Sequence, residues 1–291
     1  MGTPVPTAVL SPLTELQRHR EERNMNELKN AQPIPIFAGS GVAAPAVSED
    51  KQPSAIGSLS GIFFEPARVF ASFRQRPRFL LAACIIAITL SFSTALIYER
   101  LGVDNILRAQ LERSATNISA EQKEKIIEMQ TRPVMKAIGF ISPIVSLTII
   151  FAAGGALYLL GVLAFGGSLS YRQALSVWVY SSFPPAILAV LINVVVLFLK
   201  SPSDIDLARA GTGLARANLG VFLDAAAHPV LTTAASAIDL FALYGLVLAI
   251  VGLHKVARIS PAKASAIAGS IWVISCIARI GVSALSNAAM S

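Results

Sequence analysis

Twenty consecutive residues, Phe79 to Tyr98, carry no charge. At about 1.5 Å of rise per residue they make a helix of about 30 Å, the thickness of a bilayer's hydrocarbon core. Further uncharged runs extend from Ile138 to Tyr171 and from Gln173 to Leu199. Two more apolar stretches follow, each interrupted by a single ionisable group, Asp239 in one and Arg279 in the other. Spans are expected at about 79–98, 143–165, 174–199, 231–253 and 264–286. The chain is 54% hydrophobic and 14% charged, against about 25% charged in an ordinary soluble protein. That balance excludes a soluble globular enzyme. The expected fold class is all-α: a polytopic membrane protein, a five-transmembrane-helix bundle occupying 79–291, with a disordered N-terminal tail and short interfacial helices.

Residues 1–55 hold seven of the sixteen prolines and are rich in Ala, Ser and Gly. Such a composition buries too little apolar surface to order itself, so a disordered cytoplasmic tail is expected. Within it, 13–30 is a charged stretch of helix formers that could fold against a partner. The first residues lack a basic start followed by an apolar run, and Pro6 stands where a myristoylation motif needs Ser or Thr. Neither a cleavable signal nor that lipid anchor is expected.

From 56 to 78 the character changes. Pro66, Val69, Phe70 and Phe73 recur at i, i+3, i+4 and i+7, among Arg68, Arg74, Arg76 and Arg78. This pattern predicts an amphipathic helix lying flat at the membrane interface, aromatic side in the headgroup boundary and arginines toward anionic lipid. Pro66 suits the first turn of that helix. Gly154 and Gly161, seven apart, permit close packing of the second span. Pro184-Pro185 removes two backbone donors and should kink or divide the third.

Residues 99–137 contain seven Lys or Arg and six Asp or Glu. Ser119 and Gln122 form a capping box there, and one or two amphipathic surface helices are expected. With the N-terminus in the cytoplasm, Arg68, Arg74, Arg76, Arg78, Arg172, Lys255, Arg258 and Lys263 all fall inside. Five spans then leave the C-terminus outside, and the expected location is a cytoplasmic (inner) membrane.

Asp239 and Arg279 lie at equal depth when counted from the turn joining the last two spans. A buried ion pair is the simplest inference, with an ion or proton path through Asp239 as the alternative. Asn193 could hydrogen-bond across helices or to carbonyls freed near Pro184. The Gly-Thr-Gly at 211–213 lacks a following Lys and a preceding strand and reads as a loop. Three scattered histidines and two cysteines in apolar runs, Cys84 and Cys276, offer no metal-ligand spacing. No catalytic residue, cofactor site or metal site is expected. Nor is nucleic-acid binding, because the excess of +7 lies beside the spans.

Four blocks go further: FFEPARVF before the first span, YSSFPP at 180–185, NLGVFLD at 218–224, and SAIDLFALYGLVLAIVGLHKV at 236–256. Together they resemble the Yip family of Ypt/Rab-interacting membrane proteins, in particular its prokaryotic branch, over about four-fifths of the chain. The family-like positions are Asn218, Gly220, Phe222, Asp224, Asp239, Phe241 and Tyr244, with Tyr244 where the family usually has Trp. The resemblance implies a five-helix membrane domain, a cytoplasmic N-terminal segment and no known catalytic activity. The Asp-Leu-Tyr-Gly-Pro motif of eukaryotic members is missing, so Rab binding is not implied. The expected role is a membrane scaffold or adaptor whose partners are membrane lipids, unidentified proteins and a second copy of the chain. The alternative is a small transporter or lipid-handling permease, suggested by Pro184-Pro185, Asn193 and Asp239.

Overall fold

The computed structural model describes residues 2, 19–20, 23–25, 54–114, 119–207, 213–214, 217–224 and 227–288. The chain divides into two compact units, Met1–Lys51 and Gln52–Ser291. In the first, residues 19–20 and 23–25 are helical and exposed. The remainder of the expected tail, most of the 13–30 stretch included, lies outside the described residues.

The second unit is helical, and among its described residues the one extended pairing is an isolated bridge between Asn218 and Asp239. Its helices are α1 (Ala55–Phe64), α2 (Pro66–Ser72), α3 (Leu80–Leu101), α4 (Val103–Ser114), α5 (Ala120–Thr131), α6 (Pro133–Ala164), α7 (Tyr171–Leu199), α8 (Pro229–Ser236), α9 (Leu240–Ala257) and α10 (Pro261–Ala288). Five of them carry stretches long and apolar enough to cross a membrane: Leu80–Leu101, Ile141–Ala164, Tyr171–Leu199, Leu240–Ala257 and Pro261–Leu285.

The connections sort into two ends. At the near end, the segment after α2 meets the α6–α7 and α9–α10 turns: Gln173 Nε2 donates to Arg74 O at 2.7 Å, and Lys263 Nζ donates to Phe165 O at 2.9 Å. The far end carries the α4–α5 hairpin, closed by an Arg108–Glu124 ion pair of 2.9 Å that holds the Arg108 guanidinium above its usual range. Ser119 and Gln122 form the expected capping box at the start of α5. A small cluster of Ile97, Leu101, Ile106, Leu197 and Ile205 seals the segment after α7 against the ends of α3 and α7.

Packing is unequal along the bundle. The main core takes Ala82 and Ile86 from α3, Phe151, Tyr158 and Val162 from α6, and residues between Ala174 and Phe183 from α7. To these it adds Leu248 to Ala257 of α9 and Ala264 to Ala268 of α10, all in the near half. In the far half, no described residue of 186–196, 240–247 or 271–285 is buried. Glycines bring the near half together: a Cβ on Gly154 would run into the Trp178 ring, and one on Gly161 into Ile267.

Two expected elements differ. Helix α7 runs unbroken through Pro184-Pro185. Prolines at 184 and 185 cannot donate to the carbonyls four residues earlier. Gly245 of α9 packs there, so close that a Cβ would stand 3.4 Å from Ser181 O and 3.5 Å from Pro185 Cγ. The neighbouring helix thus covers the gap in the hydrogen-bond ladder. The fourth span begins at Leu240 instead of about 231, because 229–236 forms the separate helix α8. Leu219 N donates to Ile238 O and Leu240 N to Ala217 O, which draws 238–239 out of any continuous helix.

Candidate functional site

The near-end hairpin departs from the flat interfacial helix that its periodicity suggests. Helices α1 and α2 are separated at Glu65, and Pro66 opens the first turn of α2. Phe70 and Phe73 are fully buried (0% exposed) in the bundle core. Phe73 meets Tyr180 with 4.6 Å between ring centroids, Phe70 meets Phe73 edge-on at 6.0 Å, and Phe63 meets Phe183 at 6.0 Å. The apolar side of the predicted amphipathic helix therefore faces α7 and α9, where Gly252 leaves room for the Phe70 ring. Helical periodicity identifies the buried side of such a segment and is blind to whether lipid or protein covers it.

The arginines around this hairpin divide their work. Arg68 pairs with Glu65 at 3.1 Å on the exposed side. Arg74 Nε donates to Lys255 O in the last turn of α9, and Lys263 caps the end of α6 through Phe165 O. Cations at helix C-termini meet the negative end of the helix dipole. Arg76 is exposed, and Arg78 is half-buried. Arg258 closes α9 in the left-handed conformation (φ 55°).

At the far end four of the family-like residues, Asn218, Gly220, Asp224 and Asp239, gather into one knot. Asn218 Oδ1 accepts from Gly220 N at 3.1 Å and starts a short 3-10 turn, Leu219–Phe222. Gly220 is buried against α8: a Cβ there would strike Ser236 Oγ and lie 2.9 Å from Thr232 O. His228 N donates to Asp224 O at 2.9 Å, which positions the start of α8. Thr233 and Ser283 hydroxyls, 3.0 Å apart, tie α8 to α10. Tyr244 packs against the main core and Phe241 is half-buried, whereas Phe222 is 83% exposed.

Asp239 belongs to this knot and not to an ion pair. Its Oδ1 accepts from Phe241 N at 2.9 Å and Ala242 N at 3.0 Å, capping α9. Arg279 is exposed on α10, and among the described residues no ion pair joins it to Asp239. The equal depths inferred by counting persist. However, the later start of α9 puts Asp239 at a helix terminus, where unbonded amides take its carboxylate. A capping signal was legible in Asp239 followed directly by an apolar run.

The groups that suggested a transport path are engaged within the chain. Pro184 and Pro185 sit in a continuous, largely buried stretch of α7, and Asn193 Oδ1 accepts from Leu214 N at 2.7 Å, holding the loop before the 218–239 knot. Among the described residues no group of three or more His, Cys, Asp or Glu is arranged to hold a metal ion.

The Yip1 domain family model matches residues 60–282, which takes in most of the hairpin, four whole spans, nearly all of the fifth and the far-end knot. No curated protein and no solved structure matches the chain.

Proposed function

The chain belongs to the Yip1 domain family, and from that premise we propose that this multi-pass membrane protein is a non-enzymatic scaffold or adaptor of a cytoplasmic membrane. The observation that carries this reading is the seating of α1 and α2. Phe70 and Phe73 anchor the hairpin in the protein core, so residues 1–51 continue covalently into a rigid mount and not into a loose surface helix. A partner held by that segment is held to the bundle itself. The α4–α5 hairpin at the far end is a second docking surface. A second copy of the chain and membrane lipids complete the set of partners.

Orientation follows from charge. The near end collects Arg68, Arg74, Arg76, Arg78, Arg172, Lys255, Arg258 and Lys263, with Glu65 as its acidic member. Clusters of Lys and Arg beside short loops mark the cytoplasmic side. The N-terminus is therefore assigned to the cytoplasm and the C-terminus, five spans later, to the opposite side.

Affinity purification from native membranes tests the adaptor role, comparing the full chain with a version that begins at Gln52 and keeps the Ser54 cap of α1. Partners lost on truncation support docking on residues 1–51. Partners retained by both move the docking surface to the membrane unit. If neither form retains a protein partner, the adaptor reading fails and transport or lipid handling replaces it.

A further inference from the structure

With Asp239 engaged as the cap of α9, Arg279 keeps its charge without a counter-ion among the described residues. Six steps, about 9 Å along α10, separate it from Leu285 at the far end of the span, so its long side chain reaches the far boundary of the hydrocarbon layer. The turn that carries it is largely uncovered by protein. From Val273 to Leu285 every described side chain is exposed or half-buried, and Ile277, Val282 and Leu285 are among the most exposed. Nor does any described residue offer the guanidinium a hydrogen bond, whereas Thr233 already engages Ser283.

A guanidinium stays charged at any physiological pH. Standing bare on a lipid-facing turn it is strongly unfavourable unless an anion reaches it from outside the chain. At that depth the abundant anion is the phosphate of a membrane lipid, and the planar fork of arginine matches a phosphate with two parallel hydrogen bonds. We propose that Arg279 holds the phosphate of a far-leaflet phospholipid, whose acyl chains lie along Ser275 and Trp272. These two residues stand four and seven positions nearer the bilayer centre, on the same face of the helix. Ser275 is exposed and its hydroxyl is turned back onto Ile271 O, and Trp272 is half-buried, so the strip offers chiefly apolar contact.

The test uses the full chain reconstituted in phosphatidylcholine–phosphatidylglycerol vesicles doped with a phospholipid photoactivatable at its headgroup. Label is then mapped to peptides. Wild-type protein is expected to take label within 272–285. R279Q should reduce it about tenfold, the loss expected for a charge-assisted hydrogen-bonded contact, and R279K should fall between the two. Since Arg279 makes no hydrogen bond or ion pair among the described residues, R279Q should retain the wild-type elution profile. The wild-type map by itself is decisive if a variant does not fold, because no label within 272–285 overturns the assignment. Equal labelling of R279Q overturns it too, as does displacement of the label by inorganic phosphate, which would make the site one for a free anion. Crosslinks joining the 272–285 segments of two copies in place of lipid would assign the counter-charge to a second protein.

Discussion

Replacing Phe70 by Ala asks what holds the α1–α2 hairpin in the bundle, and the structure sets the size of the answer. The ring is fully buried, edge-on to Phe73 and seated over Gly252. In a water-soluble core, Phe→Ala costs about 3–5 kcal/mol. Of this, about 1.5–3 kcal/mol is the transfer of the side chain out of water. A hairpin that undocks into lipid does not lose that part, since hydrocarbon solvates Phe as well as a core does. What remains is packing and cavity, about 2 kcal/mol, which at tenfold per 1.4 kcal/mol is a roughly 30-fold shift in the opening equilibrium. Amide hydrogen exchange across Pro66–Ser72 in reconstituted protein reads that opening directly. F70A should exchange about 30-fold faster there, while F64A, whose ring is 86% exposed, should leave the rate unchanged. Equal effects from the two variants, or no effect of F70A, would refute the docked hairpin. An acceleration corresponding to the full 3–5 kcal/mol would mean that the hairpin opens into water.

Two further substitutions probe the far-end knot. G220A adds a methyl group against Ser236 Oγ and the Thr232 carbonyl, and since the latter is backbone it cannot swing aside. A loss of about 1–3 kcal/mol is expected, read as a lower Tm of the solubilised protein, and an unchanged Tm would show that the knot loosens freely. D239A should lose about 1 kcal/mol through the missing cap, with D239N nearly neutral. The exchanged pair D239R/R279D should fail to restore D239A-like losses, and full recovery by that exchange would reinstate the ion pair.

The spans were legible because each is set by length and the absence of charge, and both are properties of the sequence alone. Leu80–Leu101 and Tyr171–Leu199 agree closely with the expected 79–98 and 174–199. Boundaries at 231–253 were less legible, because the break after α8 is imposed by pairing with residues far along the chain, Ala217 with Leu240 and Leu219 with Ile238. No local signal reports that pairing. For the same reason the proline pair misleads. The steric rule for proline is local, but the packing of Gly245 that accommodates the gap belongs to another helix. Phe70 and Phe73 illustrate a third limit: the sequence marks them as an apolar stripe, and only tertiary structure decides that α7 and α9, not headgroups, cover it. At Asp239 the reading from depth was sound and the partner was not, because counting residues measures height along a helix and says nothing about which amides are free.

The uneven packing gives these separate features one physical logic. In the near half, α3, α6, α7, α9 and α10 are drawn together by glycines and by the inserted aromatic hairpin, so removing a side chain there leaves a cavity that protein must fill. In the far half the described residues of 186–196, 240–247 and 271–285 are not buried by protein, and lipid covers such surface without loss of apolar contact. Stability therefore resides chiefly beside the basic end, while the opposite end is held by the small cluster around Leu101 and Leu197 and by polar devices: the Asn218 and Asp239 caps, the Asn193 bond to Leu214 N, and the Thr233–Ser283 contact. Hydrogen bonds of this kind are satisfied by one geometry only, whereas apolar contacts tolerate sliding. The far end can thus keep a defined arrangement of loops over only the small apolar cluster around Leu101 and Leu197. A motion of α10 that opened its far half would have to break the Thr233–Ser283 contact but would disturb nothing in the core around Ala264 and Ile267. That asymmetry leaves the better-packed half beside the basic end and the more lipid-exposed half at the other.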